Sequence, residues 1–212
     1  MIIALVAAAA IGAATPQPLR DVVYHVSYSR RSTTIAGAGV SDHGTVTVDV
    51  MAVSHDALGL KVTERWTKNP TALVALGTVL PTGNLNFAPG ALSDVTDQLL
   101  PFFAPKFVPP QPLQPGVTWI VKDDRKTLSA TTTYSVSAVQ GTSVTINVKQ
   151  VVAIHDATRS QISSQGSVVY EPRLLVPLSG DFTKHLSVRI NGVQQTVSLS
   201  LHFARASDTR EP

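Results

Sequence analysis

The sequence predicts an all-β fold: a large, strongly curved antiparallel sheet or partly open barrel of about ten strands, with one short helix. Three observations carry this. Apolar and polar residues alternate with period 2 over most of the chain beyond residue 20. The alternating runs are bounded by turn-forming residues. Charged residues make up only 15% of the 212, against about a quarter in a typical soluble domain. Thr, Ser, Val, Ala and Pro take their place, a bias that suits strands and turns. Two β-sandwich-like halves are the alternative arrangement.

The elements follow in order. Tyr24, Val26 and Tyr28 alternate with His25, Ser27 and Ser29. Further alternating runs cover Thr45–Val53, Leu58–Trp66, Thr131–Val139, Ser143–Ile154, Ser163–Tyr170, Phe182–Ile190 and Val193–Phe203. In Leu58–Trp66 the apolar row is Leu58, Leu60, Val62, Glu64 and Trp66. Turns are expected at Asp42-His43-Gly44, His55-Asp56, Gln140-Gly141-Thr142, His155-Asp156 and Asn191-Gly192. The last is the strongest hairpin signal, because both central positions of a type I′ turn need positive φ. The doublet Asp123-Asp124 ends a strand and reads as a solvated turn.

The middle of the chain has a different pattern. Ser93 is placed to cap a helix that starts at Asp94, with Asp94 and Asp97 over its positive end. Val95, Leu99, Phe102 and Phe103 then share a face. Pro101 is expected to end the helix after about two turns, near Leu100. Residues 101–116 hold six prolines and read as an extended connector. Its aromatic side chains will seek cover.

The helix and connector, 92–116, divide a single β domain (15–212) into halves, 20–90 and 117–205, that read as pseudo-repeats. Residues 45–57 align with 145–157 without a gap, matching Thr45 with Thr145, Val48 with Val148, His55 with His155 and Asp56 with Asp156. Residues 1–14, MIIALVAAAAIGAA, read as a signal peptide. Cleavage is expected after Ala14, with small Gly12 and Ala14 before the cut. No Lys or Arg precedes the apolar run, so either the terminal amine serves as the positive end or the start has lost a few residues. At 14 residues the run is shorter than the roughly 17–25 of a spanning helix. The protein is therefore expected to be exported, to the periplasm or beyond, with no transmembrane span.

Composition limits the chemistry. There is no cysteine, which excludes disulfides, thiolate metal sites and an acyl-cysteine lipid anchor. Net charge is +3, from 17 basic and 14 acidic residues, without the basic stripe and interleaved aromatics of a nucleic-acid binder. No G-x-S-x-G, H-E-x-x-H or phosphate loop occurs. Gly37-Ala38-Gly39 precedes a strand, the wrong context for a dinucleotide. Alternation turns His25, His185 and His202 outward, while His43, His55 and His155 fall in turns. A metal site would need His55 and His155 to meet with Asp56 and Asp156. A hydrolase would need one of these His-Asp pairs beside a serine. No catalytic, cofactor or metal residue is nominated, and no cofactor is expected.

The aromatic residues give the remaining candidates. Trp66, Leu99, Phe102, Phe103, Phe107 and Trp119 are either core or the lining of an apolar cavity, with the segment around Phe103 lying across the concave face as plug or lid. The stretch Leu113-Gln-Pro115-Gly116-Val-Thr-Trp119, the alternation after it and the Gly166–Tyr170 strand resemble a family of uncharacterised exported bacterial β proteins. Their architecture is similar to the half-barrels of periplasmic lipoprotein and lipid carriers, in which a curved sheet is plugged by a short helix and loops. The likeness implies a non-enzymatic envelope protein that binds or carries a lipid or other apolar ligand. A structural or protein-interaction module, meeting another envelope protein, is the alternative, and a hydrolase the distant one.

Overall fold

The computed structural model describes residues 18–209 apart from 33–38, 55–56, 82, 105–106, 108, 110–111, 156–159 and 191–192. Its strands are β1 (Arg20–Ser32), β2 (Val40–Val53), β3 (Leu58–Trp66), β4 (Asn69–Val79), β5 (Leu85–Asn86), β6 (Thr118–Arg125), β7 (Leu128–Gln140), β8 (Ser143–Ile154), β9 (Gln161–Glu171), β10 (Val176–Ile190) and β11 (Val193–Asp208). They form one 11-stranded sheet in the order β5-β4-β3-β2-β1-β11-β10-β9-β8-β7-β6. Every pairing is antiparallel. The sheet is curved and does not close, as the alternation predicts. Its first and last strands meet in the middle, and β1–β5 cross the sheet in the same order as β7–β11.

Alternation puts the apolar rows on the concave face. Val22, Tyr24 and Val26 are buried on β1, Val46, Val48 and Val50 on β2, and Leu58, Leu60, Val62 and Trp66 on β3. The far half supplies Tyr134, Ile146, Val168, Phe182 and Phe203. Glycine makes room where large rings cross the rows. A Cβ on Gly166 would stand 2.7 Å from the Phe182 ring, and one on Gly180 would stand 2.4 Å from that of Phe203.

The concavity is filled by helix α1, Asp94–Leu99, and a 3-10 turn, Leu100–Phe103. Ser93 caps α1, its Oγ accepting from Thr96 N, and both acids lie in the first turn. The α-helix ends at Leu99, close to the expected Leu100, but Pro101 does not end the helical path. Proline lacks only the N–H that a first turn leaves unpaired, so it opens the 3-10 turn instead. The chain at 101–103 is thus helical, where the prolines predict an extended connector.

Other local expectations change. Asp42-His43-Gly44 is not a turn but part of β2. Buried Asp42 turns its carboxylate to His43 N and Lys68 N. A Cβ on Gly44 would lie 2.1 Å from the Arg65 carbonyl, so glycine here serves close strand approach. Asp123 and Asp124 lie within β6, and the turn follows them. The signal-peptide residues, His55, Asp56, Asp156, Gly37, Ala38 and the Asn191-Gly192 pair lie outside the described residues. The flanking strands nevertheless place Ile190 opposite Val193, the spacing a two-residue hairpin needs. Among the described residues no helix is long and apolar enough to cross a membrane.

Candidate functional site

The concave face is built in rows by strand register. One row joins Trp119, Tyr134, Val148, Gly166, Phe182 and Leu201 across β6 to β11. Two residues further along the strands, the next row is Thr132, Gln150, Ser164, Lys184 and Leu199. The row beyond is Ala130, Val152, Ile162, Leu186 and Val197. The concave face therefore reads apolar, polar, apolar from the packed end to the open end.

The packed end holds most of the nominated side chains. Leu99, Phe102, Phe103 and Phe107 are all at most 4% exposed. Phe103 meets Tyr24 edge-on at 6.1 Å, and Phe102 meets Phe107 at 4.9 Å. Phe107 packs edge-on against Tyr134, Tyr170 and Trp119. Trp119 is half-buried and stacked on Tyr134, with centroids 5.2 Å apart. Such ring pairs contribute about 0.5–1.5 kcal/mol each beyond area burial. These side chains form a finished core, and the segment around Phe103 plugs it. Burial drives the Tyr134 and Tyr170 hydroxyls well above their ordinary range. Trp66 lies apart from this cluster. Its ring meets Tyr28 edge-on, and its Nε1 donates to Glu64 Oε2 at 2.9 Å.

The polar row is tied to α1. Ser164 Oγ donates to Gln98 Oε1 at 3.3 Å, and Gln150 Nε2 donates to Thr132 Oγ1 at 3.2 Å. Lys184 Nζ donates to Asp94 Oδ1 at 2.5 Å, its side chain 12% exposed. Asp97, one turn on, is exposed. Desolvation raises its pKa, Lys184 lowers it, and Asp94 raises it.

Beyond this row the helix no longer fills the trough. A groove of about 860 Å³ opens between α1, the Phe87–Leu92 segment and the strands, lined by Tyr28, Trp66, Phe87, Leu186, Val197 and Leu199 among others. A smaller cavity of about 290 Å³ lies across α1, reaching Phe102, Val121 and Leu128. Ile162, Leu85, Asp97 and Lys184 border both. Of the six nominated residues, Trp66 lines the larger groove and Phe102 the smaller. Leu186, Val197, Leu199, Ile162 and Phe87 are lining residues the sequence reading does not nominate.

The opposite face carries a wider trough of about 1370 Å³. Its rows are polar: His43, Ser27, His202, Asp181, Ser167 and Asn147 stand in one register. His202 Nδ1 and Asp181 Oδ1 are 2.8 Å apart, but the side chains are 47% and 75% exposed. This is a solvated face, and an exposed pair of this kind is worth about 0–1 kcal/mol. Among the described residues no three His, Asp or Glu side chains gather as a metal site.

No protein-family model and no curated protein matches the sequence. Among solved structures it is similar to the crystal structure of Rv2717c from M. tuberculosis, at 10% sequence identity and a TM-score of 0.37, over 87% of this chain and 91% of that one.

Proposed function

We propose that this is a non-enzymatic protein of the cell envelope that holds or carries an apolar ligand on the concave face of its sheet. One observation carries the reading: Ile162, Leu186, Val197 and Leu199 stand half-buried inside the trough and line a groove of about 860 Å³ beside the plug. Ligand sites for small molecules are concave, mostly apolar and roughly 300–1,000 Å³, and the groove falls in that range. Arg30, Asp42, Asn69, Asp94, Asp97 and Lys184 also border it, which suits a ligand that carries a polar group beside its apolar part. The envelope assignment rests on residues 1–14.

The reading is tested by native mass spectrometry of protein purified from its own host, together with titration of a lipophilic fluorescent dye. A co-purifying lipid-sized adduct that the dye displaces supports it. A wild-type protein that carries no adduct and binds no dye removes it.

A further inference from the structure

Strand register carries the polar row of the concave face past Leu199. Leu199 on β11 stands opposite Arg30 on β1, and Arg30 stands opposite Val40 on β2. Arg30 therefore shares a row with Thr132, Gln150, Ser164 and Lys184. Alternation along β1 agrees: Val22, Tyr24 and Val26 are buried, while Tyr28 and Arg30 border the groove. Charged residues on a strand with one packed face normally take the outward positions, so a cation on the inner face calls for a reason.

The charges around the groove are unequally engaged. Lys184 is neutralised by Asp94. Asp42 spends its carboxylate on the backbone N–H groups of His43 and Lys68. Asp97 stands at the inner end, where the groove adjoins the smaller cavity. Arg30 is exposed, and among the described residues no ion pair or hydrogen bond engages its guanidinium. Next to it the face turns apolar, with Leu199 and Val197 on β11, Leu186 on β10 and Ile162 on β9. From β1 to β9 is three strand spacings, about 14 Å.

We propose that the groove takes a single-tailed amphiphile with a carboxylate head, the carboxylate on Arg30 and the tail laid across β11, β10 and β9. This rests on the reading of the groove as an apolar-ligand site and names the class of ligand. A planar guanidinium presents paired N–H donors that match the two oxygens of a carboxylate. One free positive charge balances one negative charge, which favours a carboxylate over the more highly charged phosphate monoester. Beyond β11 the apolar strip narrows to Leu186 and Ile162, beside the polar Lys184 and Ser164, which suits one tail. Asp97 repels an anion from the inner end and so sets the direction, with the head at β1 and the tail inward.

The test is displacement of a bound lipophilic fluorescent dye by decanoate, decyl phosphate, decanol and decylamine, all kept below micelle-forming concentrations. The full chain is compared with Arg30→Gln and with Lys149→Gln, which removes an exposed charge from the opposite face. In the wild type, decanoate should displace the dye at about tenfold lower concentration than decanol. Arg30→Gln should erase that preference and leave decanol unchanged, and Lys149→Gln should keep it. Equal displacement by decanoate and decanol, or a preference that survives Arg30→Gln, overturns the proposal and leaves the groove as an apolar site. A preference for decylamine, which places the head at Asp97, or for decyl phosphate overturns it in the same way. A wild type that binds no dye removes the groove reading and this one with it. Should Arg30→Gln fail to fold, raising the salt concentration on the wild type decides. Weaker decanoate binding relative to decanol supports the ion pair, and parallel behaviour of the two refutes it.

Discussion

Arg20, at the start of the first strand, and Asp208, at the end of the last, form a buried two-pronged ion pair. Arg20 Nε donates to Oδ1 at 3.0 Å and Nη2 to Oδ2 at 2.5 Å, while Nη1 reaches the Leu174 carbonyl. The side chains are 6% and 0% exposed. The pair pins the β1–β11 seam, where the two halves of the sheet join, to the turn before β10. Removing one partner leaves the other charge buried, at a cost of about 3–5 kcal/mol, whereas replacing both by apolar residues is often nearly neutral. Asp208→Ala should therefore lower unfolding stability in urea by about that amount. Arg20→Met with Asp208→Leu should recover most of it.

Glu64 occupies a position that alternation assigns to the apolar row, and it is 1% exposed. Its two oxygens accept from Trp66 Nε1 and from Ser93 N, each at 2.9 Å. The carboxylate thereby fastens the cap residue of α1 to β3. A glutamine keeps one accepting oxygen and turns an NH₂ toward the other donor. Glu64→Gln should cost about 1–3 kcal/mol, the penalty of an unsatisfied buried group. Chemical denaturation followed by tryptophan fluorescence measures it.

Local pattern makes much of this fold legible. The row Leu58, Leu60, Val62, Glu64, Trp66 is buried throughout, and Ser93 marks the helix start. β4 is harder to read, because Ala72-Leu73-Val74-Ala75-Leu76 is a continuous apolar run without alternation. Asp42-His43-Gly44 has turn composition, but its residues serve as a buried acceptor and a point of close approach. Phe102, Phe103 and Phe107 are readable as an apolar segment that needs cover. That it plugs the trough follows only from its packing against Tyr24, Tyr134 and Phe182. The groove is the least legible part. Ile162, Leu186, Val197 and Leu199 come from three strands, and only cross-strand register brings them together.

Asp97 should give the stability a pH dependence of known sign. Its folded pKa lies above the ordinary 3.8, mainly through desolvation. The folded state then holds this proton more tightly than the unfolded chain. Its contribution to stability is full below the unfolded value and falls as pH rises through the folded one. Asp97→Asn removes that fall. Melting temperatures measured from pH 4 upward should decline less in the variant than in the wild type. Parallel curves would mean that Asp97 is as well solvated in the fold as out of it.

The plug and the groove can be told apart by two carboxylates placed in different surroundings. Phe103 is 4% exposed and packed on Tyr24. Phe103→Asp buries an unpaired charge in a finished core, and losses of about 3 kcal/mol or more are usual for such changes. It should abolish dye binding by unfolding the protein, visible as a collapsed melting transition. Leu186 is only half-buried and faces the groove. Leu186→Asp leaves the new carboxylate in reach of solvent, so the melt should shift by little. Dye affinity should nonetheless drop at least tenfold, about 1.4 kcal/mol, because one wall of an apolar site becomes charged. Full dye binding by a folded Leu186→Asp protein would place the ligand elsewhere. Loss of binding with the fold intact places it where Ile162, Val197 and Leu199 complete the wall, next to the core and not within it.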